Sequence, residues 1–261
     1  MSKKLVFFKF KSILRESILL LLKNPFLFVP KLLIAFFYGV GTLVAVGLVK
    51  ELFSFSSFST EQMLSFDFTS FFSIAILLML FTLFSFFFDL FFNGLYPILV
   101  RLALKKKLSF LDGVNLFKPK IFSVFLTGVF LWVLITLVSI LESFLVIYYN
   151  LSKEGFVLSF LITFLFAFLF YFLYPKIVFE NKGIQESFCS SVFDSFKNKK
   201  IVFLLSSIPF IVSVLKLILA YFSNDLVFLI IFWVIVILTG VIYSIHSVVN
   251  QIAYEKILAK N

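Results

Sequence analysis

Charge is scarce in this sequence. Only 14% of its 261 residues are Asp, Glu, Lys or Arg, where an ordinary soluble domain carries about 25%. That shortage excludes a water-soluble globular protein of this length. A single cysteine, Cys189, excludes an intrachain disulfide and offers no cysteine-based metal site. A single histidine, His246, leaves no second imidazole to share a metal. There is no nucleophile elbow, no His pair at helical spacing and no glycine loop that would cradle a phosphate. The expectation is a chain with no catalytic residues, no cofactor and no metal.

What is there is apolar. Hydrophobic residues make up 62% of the chain and Phe alone occurs 43 times. A helix that crosses a bilayer needs ~20 largely apolar residues, and six such runs can be marked: 26–49, 70–93, 120–147, 156–178, 201–222 and 226–248. Lys and Arg sort between the ends of these runs. Segments 1–25, 94–119, 179–200 and 249–261 carry seventeen of them, while the opposite segments carry only Lys50 and Lys153. Short basic loops resist translocation, so both termini are expected to be cytoplasmic. The basic N-terminus is followed by no small-residue cleavage site and is expected to be retained. The fold class is therefore all-α, a polytopic protein of the cell membrane with six transmembrane helices and no soluble domain.

One hexapeptide recurs. "LYPILV" at 95–100 returns as "LYPKIV" at 173–178, each at the basic end of a span. Proline removes a backbone donor and bends a helix. The tyrosine suits a headgroup boundary, so Tyr96, Pro97, Tyr174 and Pro175 are candidate interfacial anchors. A second feature precedes each outward span: an amphipathic stretch ending in Lys. In "GIQESFCSSVFDSFKNKK" the positions Ile184, Phe188, Cys189, Val192, Phe193 and Phe196 fill one half of a helical wheel. Glu186, Ser187, Ser190, Ser191, Asp194 and Lys197 fill the other. That predicts a helix lying in the membrane surface. "FKSILRESILLLLKNP" and "SFLDGVNLFKP" repeat the theme, the latter opened by a Ser109/Asp112 capping pattern. The implied unit is a surface helix, an outward span and an inward span, used over roughly 1–107, 108–180 and 181–261.

The order of surface helix, Lys23-Asn24-Pro25, outgoing span, then Tyr174-Pro175 with Glu180, Gly183 and Ser187, resembles a group of six-helix prokaryotic membrane proteins. That group includes the membrane domain attached to some glycerophosphodiester phosphodiesterases. The resemblance implies a membrane-embedded module of unassigned activity. The phosphodiesterase domain itself is absent, so it implies no hydrolysis.

Ionisable residues inside a bilayer are costly and mark candidate sites. Lys31 and Asp89 lie toward the basic side of adjacent spans, Glu142 and Lys216 in the outer parts of two others, and His246 near the basic end of the last. Asp89 falls on Ala167 when the two hexapeptides are aligned, so the repeat does not require it. Two readings stand: a cation or proton site, or a structural Lys31–Asp89 pair, with His246 the next candidate partner. Glu142 and Lys216 either pair or reach the outer interface separately. Ala35/Gly39, Gly41/Ala45 and Gly240/Ser244 are small-xxx-small pairs that permit close helix packing. Basic runs such as Lys105-Lys106-Lys107 would attract anionic lipid headgroups rather than nucleic acid. The functional expectation is a non-enzymatic module associated with lipid, a membrane-protein partner or a second copy. The alternative is a small-solute or ion transporter using Asp89.

Overall fold

A computed structural model describes residues 3–55, 68–148, 152–180, 182–212 and 225–258, and no strand occurs among them. The helices run in order α1 (Lys3–Lys23), α2 (Val29–Phe55), α3 (Phe68–Leu104), α4 (Phe110–Phe117), α5 (Ile121–Tyr148), α6 (Ser152–Leu169), α7 (Leu173–Phe179), α8 (Ile184–Lys197), α9 (Lys199–Ser206) and α10 (Asp225–Ile257). Two 3-10 turns, Pro25–Phe28 and Lys118–Lys120, lead into α2 and α5.

Among the described residues, five segments are long and apolar enough to cross a membrane: Pro25–Gly47, Phe72–Leu104, Phe110–Leu141, Phe160–Phe179 and Val227–Ile257. The chain is a multi-pass membrane protein. The remaining expected span, 201–222, is described only to Val212. Its described part holds the end of α9, which stops at Ser206, then a turn at 207–209 and helical residues again at 210–212; Pro209 has no N–H to continue the ladder. The second span also outruns its expected end. Helix α3 continues through Pro97 to Leu104, and its 37 residues reach about 55 Å at 1.5 Å per residue. That is longer than the ~30 Å hydrocarbon layer, so α3 projects beyond it.

The core is concentrated at one end. Buried apolar side chains cluster at Phe92–Ala103 of α3, Phe168–Val178 around α7, Ile201–Leu205 of α9 and Val248–Tyr254 of α10. Elsewhere α3 exposes Ile76, Leu77, Met79 and Leu80, and α5 exposes Trp132, Leu137, Ile140 and Leu141. These are faces for lipid. Helix α10 runs along α2 and also packs on α1 and α3. A Cβ at Gly240 would lie 2.9 Å from the Leu32 Cα and 3.2 Å from the Lys31 carbonyl. The Gly240/Ser244 pair therefore does what its spacing predicts, letting two backbones meet. Gly41 and Ala45 instead line a cleft between α2 and α3.

Local signals set the helix boundaries. Asn24 ends α1: its backbone N–H and its side-chain Nδ2 both donate to the Leu20 carbonyl, at 3.0 Å each. Its own backbone, at φ −134° and ψ 70° before Pro25, lies outside the helical region, which a residue before proline avoids. Asn198 repeats the device between α8 and α9, donating from Nδ2 to Asp194 O at 3.0 Å. At α4 the Ser109 hydroxyl accepts from the Asp112 N–H at 3.3 Å, as the capping pattern predicts.

Helix α8 corrects the wheel in both halves. Its apolar half divides: Phe193, Phe196 and Cys189 are exposed, while Ile184, Phe188 and Val192 are half-buried, Phe188 against the rings of Phe130 and Phe170. The polar half divides too. Glu186 and Lys197 stay exposed, while Ser187, Ser191 and Ser195 are fully buried against the end of α6. Helix α6 breaks at Phe170–Phe172, and Leu173 N donates to Phe170 O instead of to Leu169 O. The stranded Leu169 carbonyl is taken by Ser191 and Ser195, both at 3.3 Å. Ser191 and Ser195 face protein because a carbonyl there lacks a donor, whereas the buried Ser187 hydroxyl has no hydrogen-bond partner among the described residues.

Substituting Gly240→Leu forces α2 and α10 apart, and overpacking of this kind costs about 1–3 kcal/mol. Thermal unfolding in detergent should show a clear loss, whereas Gly47→Ala, with nothing within 4 Å of the added Cβ, should show none. A Gly240→Leu variant as stable as the parent would contradict the α2–α10 contact.

Candidate functional site

Two polar clusters sit among the apolar helices. The first lies inside the bundle between α2 and α3. Asp89 and Asn93 are one turn apart on α3, and both turn toward Lys31 near the start of α2. The Lys31 ammonium stands 3.7 Å from Asp89 Oδ1, donates to Asn93 Oδ1, and lies 5.9 Å from the centre of the Tyr96 ring. The Lys31 side chain is 7% exposed and that of Asp89 28%. The structure therefore brings together the pair that sequence reasoning singled out, and adds Asn93.

His246 is not Asp89's partner. Its ring stands edge-on to Tyr171 at 5.7 Å, and its Nδ1 is buried without a hydrogen-bond partner among the described residues. Helix α5 contains Glu142, but its side chain, like the whole of Lys216, lies outside the described residues.

The four expected headgroup anchors are corrected. Tyr96 is 1% exposed and its hydroxyl donates to the Leu27 carbonyl at 2.6 Å. Pro97 and Pro175 are buried and Tyr174 half-buried. The motif faces protein because it manages backbone bonds. Pro175 cannot donate to the carbonyl four residues back, on Tyr171, and the Asn250 side-chain amide of α10 donates there instead.

The second cluster joins the ends of α3, α7, α8 and α10, and sequence reasoning missed most of it. Lys176, 3% exposed, bonds Asp194 Oδ2 at 2.7 Å and Glu180 Oε1 at 3.2 Å. Glu180 also accepts from Lys182 at 2.9 Å and from the Tyr254 hydroxyl at 3.1 Å. Burial alone would raise the Glu180 pKa. The Lys182 hydrogen bond, the Lys176 charge and the Tyr254 hydroxyl outweigh it and hold the carboxyl below its usual range. The Lys182 ammonium is raised in turn, chiefly by its bond to Glu180. Arg101 Nε bonds Glu255 Oε1 at 2.7 Å, Gln251 donates to the same oxygen at 2.9 Å, and the Arg101 Cζ stacks 3.3 Å over the Phe179 ring. Lys256 pairs with Glu16 on α1. The i, i+4 spacings Lys176/Glu180 and Gln251/Glu255 were the available signals.

A cleft of about 200 Å³ opens between α2 and α3, lined in part by Tyr38, Gly41, Thr42, Thr82 and Ser85. Three of its hydroxyls are already used: Thr42, Thr82 and Ser85 each donate to the carbonyl four residues back, at 2.8 Å. The cleft thus offers a ligand mainly apolar surface. No group of three or more His, Cys, Asp or Glu that could hold a metal occurs among the described residues.

Removing one partner of a buried ion pair strands the other and costs about 3–5 kcal/mol, whereas removing both leaves no orphan. Lys31→Met and Asp89→Asn should each lower thermal stability in detergent, and the double variant should lose clearly less than their sum. Additive losses would show that the two charges are not coupled.

No protein-family model, curated protein or solved structure matches the chain.

Proposed function

We propose that this chain is a non-enzymatic membrane module whose basic end lies in the headgroup layer and binds anionic lipid. One observation carries the reading: the three helices α1, α4 and α8 at that end turn bulky apolar side chains outward. Helix α1 exposes Phe7, Phe8 and Leu22, α4 exposes Leu111 and Leu116, and α8 exposes Phe193 and Phe196. Water would penalise each such ring by roughly 2 kcal/mol, while the boundary between headgroups and acyl chains accepts them. Lysines flank all three helices, as an anionic surface requires.

In this proposal the membrane is the cell membrane and the basic end faces the cytoplasm, following the lysine asymmetry. Residues 201–222 complete a sixth span, and the three surface helices head three repeated units over roughly 1–107, 108–180 and 181–261. The motif resemblance to a membrane-embedded module without its own catalytic domain supports the same reading. The polar clusters then serve the fold, since Lys31, Lys176 and Arg101 each have an acidic partner at hand.

A second reading has one observation in its favour. Asp89 is more exposed than the lysine it faces, which leaves its carboxylate accessible to a proton or cation. An Asp89→Asn protein that keeps its thermal stability but loses a proton- or sodium-dependent flux would put transport first.

The exposed native Cys189 tests the lipid reading directly. An environment-sensitive fluorophore attached there in the full chain, in anionic vesicles, should emit from an apolar setting and be quenched by lipids brominated near the headgroup. Phe193→Ser with Phe196→Ser should shift the emission toward that of water. A parent protein whose probe is quenched by aqueous iodide but not by brominated lipid would contradict the interfacial placement.

A further inference from the structure

The end of α3 carries an arginine built for an acceptor that the described protein does not supply. Arg101 is held on two sides, stacked on Phe179 and bonded through Nε to Glu255. Its two terminal nitrogens have no hydrogen-bond acceptor among the described residues. A guanidinium fixed in plane with both outer N–H groups open is preorganised for the paired oxygens of a phosphate.

Beside it lies a groove of about 280 Å³ lined by Arg101, Leu104, Lys105 and Glu255. The Lys105 side chain is exposed and makes no ion pair with a described residue. The turn that presents it is unusual. Lys106 sits at φ 55°, in the left-handed region, with the Lys106 and Lys107 N–H groups bonded to Ala103 O and Leu102 O. Glycine is the residue that normally ends a helix this way.

We propose that this groove binds the phosphodiester of an anionic phospholipid. The outer nitrogens of Arg101 and the Lys105 ammonium take the phosphate oxygens, and Leu104 lies against the glycerol and first acyl carbons. The charges match: two cations and one carboxylate leave one net positive charge, and a phosphodiester brings one negative. Glu255 does not repel the ligand outright, because its Oε1 already accepts from Arg101 Nε and Gln251 Nε2; its task is to set the guanidinium plane. The site rests on the reading that this end lies in the headgroup layer.

The test is native mass spectrometry of the full chain released from detergent with phosphatidylglycerol or phosphatidylcholine present. The parent should retain phosphatidylglycerol in preference to phosphatidylcholine. Lys105→Gln removes no contact with a described residue and leaves the fold intact, yet should lower retention about threefold or more. Arg101→Lys keeps the charge but loses the two-pronged donor, and should lower it at least as far. Retention at the parent level in both variants overturns the site, whatever the Cys189 probe reports, so the site and the interfacial reading fail separately. Equal retention of phosphatidylcholine by the parent overturns it too. So does displacement of the lipid by glycerol 3-phosphate at concentrations no higher than the lipid's own, which would make the ligand a soluble phosphate.

Discussion

Inside a bilayer a backbone carbonyl without a donor has no water to turn to, so every break in a helix must be answered from within the protein. This constraint organises the basic end of the bundle. The α6–α7 break strands Leu169 O, and two serines of α8 take it. Pro175 strands Tyr171 O, and Asn250 of α10 takes that. The turn before α2 offers Leu27 O, and Tyr96 of α3 takes it. Each answer ties one helix to another, so the sites where regular structure fails are where the helices are joined. The hexapeptide with Leu, Tyr and Pro recurs because it supplies parts of this exchange. In one copy the tyrosine donates, and in the other the proline makes the vacancy.

Charge follows the same economy. Lys31, Lys176 and Arg101 each meet a carboxylate on another helix: Asp89, Asp194 and Glu255. An unpaired charge in these positions would be far more costly than the modest net gain of pairing it. The pairs therefore choose which helices can be neighbours more than they stabilise the bundle. The apolar outer faces of α3 and α5 need no such specification, since lipid and protein solvate them about equally.

The apolar spans were legible because mean hydropathy acts over whole segments and needs no tertiary knowledge. Lys31 and Asp89 were legible for a related reason, since a charge inside an apolar run stands out and the two spans are adjacent in the chain. The serine face of α8 was misjudged: a helical wheel ranks serine as polar and assigns it to water, yet here the nearest unsatisfied acceptor is a carbonyl. The anchoring tyrosine was misplaced because an amphipathic ring suits a headgroup boundary as well as a buried carbonyl. Lys176–Asp194 and Asn250–Tyr171 were out of reach, because each joins segments whose proximity depends on the whole bundle. Arg101 offered a faint signal, being one of two arginines in a chain otherwise reliant on lysine.

The central claim, that side chains answer carbonyls stranded by the backbone, is tested most directly by coupling Asn250 to Pro175. Asn250→Leu removes the donor to Tyr171 O and should lower thermal stability in detergent by about 1–3 kcal/mol, the cost of a buried unsatisfied acceptor. Pro175→Ala restores an N–H four residues after Tyr171, so in the Asn250→Leu background it should recover part of the loss. Simple addition of two losses, with no recovery in the double variant, would contradict the account.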